Sequence, residues 1–178
     1  MKPIISKNIR VRYPELFEVG DDSIIDDFSY FSTKVQVGRG SHVANNCSVA
    51  GGQVRLFKLG DYSTVSAGVR IWCTSDDFNN DLSLPLPEGI SPIGNHPETG
   101  DVIIGNFTAI GSGSVVLPDN HIPEGTAIGA MSLVPPRFQF DPWSVYAGIP
   151  IRYRGPRNRE RIATQIAKLD AYYKICRS

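Results

Sequence analysis

An aliphatic or aromatic residue recurs every six positions through most of the chain. It stands at Val19, Ile25, Phe31, Val37, Val43 and Val49, resumes after four extra residues at Leu59, Val65 and Ile71, and returns at Ile104, Ile110, Val116, Ile122, Ile128 and Val134. The fifth place of a unit is usually small, as at Ser23, Ser29, Ser41, Cys47, Ser63, Ser75, Thr108, Ser114, Thr126 and Ser132. The second place is often glycine or alanine, as at Gly20, Gly38, Ala44, Gly60, Gly105, Gly111 and Gly129. A period of six is neither a helical stripe nor simple strand alternation; it describes short strands separated by corners at a fixed spacing. The fifteen units predict five turns of a three-sided parallel β-helix. Each opening residue stacks on its counterparts above and below, and the small fifth residue fills the corner. Gly, Asn or Asp just after the opener is expected to tolerate the tight turn.

Residues 77–103 interrupt the beat for 27 residues rich in Pro, Gly and Asn, after which the phase resumes. Structureless stretches of that length inside a domain are usually functional or disordered. The segment therefore reads as an excursion from the side of the coil, and the shorter extra stretch from Gly51 to Lys58 as a second lip. The excursion holds Asp77, Asp81, Glu88, Glu98 and Asp101 with no Lys or Arg, a wall that favours a cationic or amine-bearing ligand. His96 lies within it and is the leading general-base candidate, because an imidazole titrates near neutral pH. Its bland alternative is an ordinary loop histidine. His42 and His121 close hexads and read as surface or corner histidines.

Net charge is zero, but its distribution is uneven. Residues 1–70 carry nine Lys or Arg against seven acids, residues 71–130 none against eight, and residues 131–178 nine against three. Arg137, Arg152, Arg154, Arg157, Arg159 and Arg161 thus gather near the last coil and its exit, as a polyanion site or a solvated tail. No nucleic-acid-binding motif accompanies them. No stretch is apolar enough to span a membrane and no export signal opens the chain, so a cytoplasmic protein is expected. Cys47, Cys73 and Cys176 have no metal-type spacing and read as free structural thiols. Ile162, Ile166, Leu169, Tyr173 and Cys176 recur at helical spacing, predicting a helix over about 158–177 that packs on the last coil or on a neighbour. The whole, residues 1–178, reads as one all-β domain with a β-helix over about 17–155.

The hexads resemble the hexapeptide-repeat acyltransferases, whose units coil as a left-handed parallel β-helix and which commonly form trimers. Tyr146-Ala147-Gly148-Ile149-Pro150-Ile151-Arg152 is similar to that family's exit motif. The resemblance implies an acyl-coenzyme A donor along the groove between coils. Its pantetheine arm would run near Ala109, Gly111, Ala127 and Gly129, with Arg137, Arg152 and Arg154 at its phosphates; the two glycines have an equally good corner explanation. In the sugar O-acetyltransferases, an aromatic residue and three small ones precede a His-Pro pair whose histidine is the base. Here the stretch reads Ile71-Trp72-Cys73-Thr74-Ser75-Asp76, with Asp77 in the place of the proline. Either His96 supplies the base, or Asp76 does, or an amine acceptor needs little help. Ser75 orients the acceptor or is simply a corner residue.

The departure is similar to the enzymes that N-acylate nucleotide-linked amino sugars for surface polysaccharide or glycan synthesis. The expected reaction is therefore acyl transfer, most directly acetyl transfer, from acyl-coenzyme A to such an amine in a homotrimer. A sugar hydroxyl is the alternative acceptor. A metalloenzyme like the γ-class carbonic anhydrases would need three convergent histidines, and His42, His96 and His121 are widely spaced, so no metal site is expected. A non-catalytic trimeric scaffold would leave the acidic excursion and basic exit without a purpose.

Overall fold

The computed structural model describes residues 1–80 and 97–176, the side chains of 174–176 aside. It is a parallel β-solenoid of about six turns with one C-terminal helix. Three stacks of openers face inward. On the first face Ile5, Ile25, Val43, Val65, Ile110, Ile128 and Tyr146 lie in register. On the second face the stack is Val11, Phe31, Val49, Ile71, Val116 and Val134. Val19, Val37, Leu59, Ile104 and Ile122 form the third. From Ile25 onward nearly all are 5% exposed or less, so each aliphatic opener contributes about 1.5–3 kcal/mol by burial.

The solenoid begins earlier than residue 17. Ile5 and Val11 open a first coil, but the 3₁₀ turn Pro14–Leu16 adds two residues before Val19 and breaks the six-residue phase. The corners also work differently from expectation. Positive φ falls at the fourth place of the unit, as at Asp22, Gly40, Tyr62, Phe107 and Trp143. The second-place glycines serve close approach: a Cβ on Gly60 would sit 2.5 Å from the Gly105 carbonyl carbon, and one on Gly38 2.7 Å from that of Gly60. The fifth-place hydroxyls form a buried column between the third and first faces. Ser23 donates to the Gly38 carbonyl (2.7 Å) and accepts from the Ser41 amide (3.0 Å); Ser41 and Ser63 repeat the pattern one coil on.

Helix α1 (Arg159–Cys176) starts one residue after Asn158, whose side chain accepts from the Arg161 amide at 3.0 Å. Ile162, Ile166, Leu169 and Tyr173 form a half-buried stripe, while the Cys176 side chain lies outside the described set. The helix does not stop at the last coil. Eighteen residues span about 27 Å, enough to pass several strands spaced about 4.8 Å apart. Arg159 stacks on Trp143 near its start, and Arg39, an early-coil residue, lies 4.1 Å over the Tyr173 ring near its end.

Candidate active site

The chain leaves the lattice at the corner between the second and third faces. Thr74–Ser75 pairs antiparallel with Glu98–Thr99, Ser75 opposite Glu98, and this ribbon is the base of the excursion. Val102–Ile104 is already back in the coil, paired with Phe57 to Leu59, so both ends of the departure lie a few residues earlier than in 77–103. Ser75 occupies a fifth place but is not a corner residue: it stands half-buried in the ribbon, and among the described residues its hydroxyl reaches only the Asp76 carbonyl, at 3.5 Å. His96, Asp81 and Glu88 lie outside the described residues.

The four extra residues of Gly51 to Lys58 stay within strand Ser48–Leu59 as register shifts against Thr33 and Lys34. They brace the ribbon. Arg55 Nη2 donates to Thr99 Oγ1 at 2.7 Å, and the Leu56 amide donates to Asp101 Oδ1 at 3.0 Å. Gly51 is pressed against Cys73, whose Cβ would lie 2.6 Å from a Cβ added there. Burial pushes the Cys73 thiol up to about 12 and the Cys47 thiol up to about 11, so both remain protonated packing groups.

Asp76, Asp77, Phe78, Asn79, Asn80 and Glu98 line a cavity of about 410 Å³ at the ribbon. Asp77 is committed to the local turn: it accepts from the Asn79 amide (2.9 Å) and from the Asn80 side chain (2.7 Å). The Asn80 bond first, then the Asn79 amide, hold its carboxyl below the ordinary range. Asp76 and Glu98 supply the remaining charge. Glu98 Oε1 pairs with Arg137 at 3.0 Å, and Arg137 borders a second cavity of about 370 Å³ with Asp119, His121, Pro123, Phe138, Gln139 and Phe140.

The basic exit is dispersed by the fold. Arg137 joins the acidic ribbon, and Arg157 Nη1 donates to the carbonyls of Phe107, Gly125 (3.1 Å) and Thr126 (3.4 Å). Arg152 and Arg154 stay exposed on strand Arg152–Pro156, with Arg154 Nε donating to the Ala147 carbonyl at 3.3 Å. That strand edges the first-face sheet, where Ala109 and Ala127 are neighbours in register. Gly111 and Gly129 form the adjoining corner; a Cβ on Gly129 would be 2.9 Å from that of Ala147. Of the residues expected at the donor, six therefore share one edge, and Arg137 belongs to another.

No family model matches the chain. A dTDP-4-amino-4,6-dideoxy-D-glucose acyltransferase of Escherichia coli is 32% identical over 148 residues, covering 80% of this chain and 72% of the relative. The chain belongs to the dTDP-amino-sugar acyltransferase family. AntD, an N-acyltransferase of Bacillus cereus solved with dTDP and 3-hydroxybutyryl-CoA, superimposes with a TM-score of 0.84 at 30% identity, over 97% of this chain and 89% of AntD. A serine-to-cysteine variant of AntD, solved with dTDP-4-amino-4,6-dideoxyglucose and coenzyme A, gives 0.84 at 29% identity, over 96% and 88%.

What this acyltransferase offers chemically follows from its second-to-third corner. Two carboxylates, Asp76 and Glu98, line a cavity, and the Glu98–Arg137 ion pair links its rim to that of a second, partly aromatic one. The pairing of Glu98 with Arg137 was invisible to hexad counting, because the excursion hides the register. Rows of eighteen would have exposed part of it, since they set Asp119 beneath Arg137 and His121 beneath Gln139. Among the described residues no helix is long and apolar enough to cross a membrane.

Proposed function

We propose that this acyltransferase moves an acyl group from acyl-coenzyme A to the amino group of a dTDP-linked amino-deoxy sugar, with the acceptor at the corner between the second and third faces. The carrying observation is the likeness to the Escherichia coli amino-sugar acyltransferase, 32% identical over 80% of the chain, joined to an acid-lined corner suited to an amine. The amine attacks the thioester carbonyl directly, and backbone N–H groups stabilise the oxyanion. Asp76 and Ser75 orient the acceptor, and Asp76 and His96 remain base candidates from the sequence. Arg152 and Arg154 are the cations for the donor phosphates, with Ala109, Gly111, Ala127 and Gly129 along the pantetheine arm. Arg137 is better suited to the acceptor side, because its partner is Glu98.

A homotrimer in the cytoplasm completes the reading. The family resemblance supports the trimer, and a donor and acceptor of the coenzyme A and nucleotide-sugar classes support the location. Release of free coenzyme A thiol from acetyl-coenzyme A tests the reaction, with dTDP-linked amino sugars set beside neutral nucleotide sugars. Turnover with the amino sugars alone is expected. Turnover only with neutral sugars would replace N-transfer by O-transfer, and donor binding without turnover would point to another acyl group.

A further inference from the structure

Three histidines face three different fates. His42 is held by Asp26 at 2.8 Å on the outer surface of the first face, and His96 lies outside the described residues. His121 stands outward on strand Asn120–Ile122 of the third face, between two inward neighbours, Asn120 at 0% and Ile122 at 2% exposure. Alternation along a strand fixes that direction. Among the described residues the His121 ring has no hydrogen-bond partner, and it borders the cavity of about 370 Å³.

That cavity has two chemical halves. Phe138 and Phe140, in edge contact at 4.8 Å, supply an apolar wall, and the Phe138 amide is tied to Asn120 Oδ1 at 3.0 Å. Asp119, Arg137 and Gln139 supply the polar rim. A pyranose ring has matching halves, an apolar C–H face and a hydroxyl edge. The volume falls at the lower end of the range for small-molecule sites, roughly 300–1,000 Å³. Arg137 also reaches Glu98, which lines the cavity at Asp76, so a solvent-exposed ion pair links the rims of the two cavities.

We propose that the third-face cavity holds the sugar ring of the acceptor and that His121 is the general base of the transfer. This rests on the N-acyl reading above. The neutral amine nitrogen attacks the thioester carbonyl carbon and the C–N bond forms. His121 takes the proton that the nitrogen sheds, and the oxyanion collapses with cleavage of the C–S bond. The imidazolium then returns the proton to the departing thiolate, giving amide, free thiol and neutral imidazole. The carboxylates of Asp76 and Glu98 hold the cationic form of the amine on arrival, and its first proton passes to solvent before attack; for the second proton, shed on attack, an imidazole is a better acceptor at neutral pH than a carboxylate.

The test is the pH dependence of His121→Asn in the full-length enzyme, with acetyl-coenzyme A and a dTDP-linked amino sugar. Loss of a general base lowers kcat by roughly 10²–10⁴-fold at neutral pH. The deficit should narrow as pH rises and solvent deprotonates the amine, while donor affinity stays unchanged. Gln139→Ala should raise the acceptor KM about tenfold without altering donor binding, in line with loss of one polar contact. Wild-type turnover with an unimpaired His121→Asn variant would overturn the assignment, as would a deficit that is equal at every pH. Absence of wild-type turnover with every amino sugar would instead overturn the N-acyl reading, and the base with it.

Discussion

Two corners of the same prism do different work. Between the third and first faces, Ser23, Ser41, Ser63 and Thr108 stack in an unbroken buried column, each hydroxyl serving the next coil. Between the second and third faces the corresponding column is Val35, Phe57, Val102 and Asn120, equally buried but without that chain of hydroxyls. There the chain shifts register at Gly52, leaves through the Thr74–Ser75 ribbon, returns at Val102, and places Asp119 and Arg137 in the left-handed corner positions. The lattice tolerates a break where the corner is sealed by side-chain volume, because packing survives an inserted loop. A hydrogen-bonded column would lose its continuity. Stability and chemistry should therefore separate by corner.

The largest expected effect tests the sealed interior. Ile110→Ala removes a side chain that is 0% exposed and should cost about 2–5 kcal/mol, a fall in Tm of roughly 5–15 °C. Turnover measured well below the lowered Tm should be near wild type. A large loss of turnover in the still-folded variant would mean that the first-face stack controls the site and that the corners do not separate.

Asp76→Asn is the converse. If its carboxylate holds the amine, the charge-assisted contact is worth about 1.5–3 kcal/mol, or roughly a 10- to 150-fold fall in kcat/KM for the amino sugar. Tm should not move. An equal fall with neutral acceptors would remove Asp76 from amine recognition.

A pair of serines sharpens the contrast further. Ser41→Ala strips a partner from the Ser63 amide (3.0 Å) and the Gly60 carbonyl (2.7 Å), costing about 1–3 kcal/mol in thermal or urea unfolding. Ser75→Ala, at the same place in its hexad, should leave unfolding unchanged and alter acceptor KM. Equal destabilisation by both would return Ser75 to the corner lattice.

The hexads revealed the stacks because openers repeat wherever coils are uniform. The first coil escaped notice for a single cause, the two residues added by Pro14–Leu16. The second-place glycines answer to close approach and not to a turn, a distinction that residue type alone does not carry, since glycine suits both a positive φ and a neighbour too close for a Cβ. Gly60, at the second place after Leu59, abuts the next coil, whereas Gly52, at the fourth place after Val49, has open space with φ at 73°. The candidate site was half legible. Its acids stood out as a charge block, whereas Glu98 and Arg137 meet through coil stacking across 39 residues. The Arg cluster dissolved for the same reason, since neighbours in sequence end on different edges.

The smallest predicted effect concerns the excursion's own start. Asp77 is exposed enough to titrate, and its folded pKa is held below the ordinary 3.8 by the Asn80 side chain first and the Asn79 amide next. A carboxyl depressed on folding stabilises its turn above its unfolded pKa, and that contribution is lost as pH falls through the lower, folded value. The Asn80 side-chain amide resonance should therefore shift with a midpoint below 3.8, while the amides of Ser41 and Ser63, bonded to hydroxyls that do not ionise, stay fixed over the same range. Asp77→Asn should abolish the Asn80 titration and leave Tm at neutral pH nearly unchanged. A midpoint at or above 3.8 would mean that Asn80 does not hold the carboxylate. If the column amides moved together with it, the two corners would be coupled, and the excursion would be part of the lattice rather than a loop mounted on it.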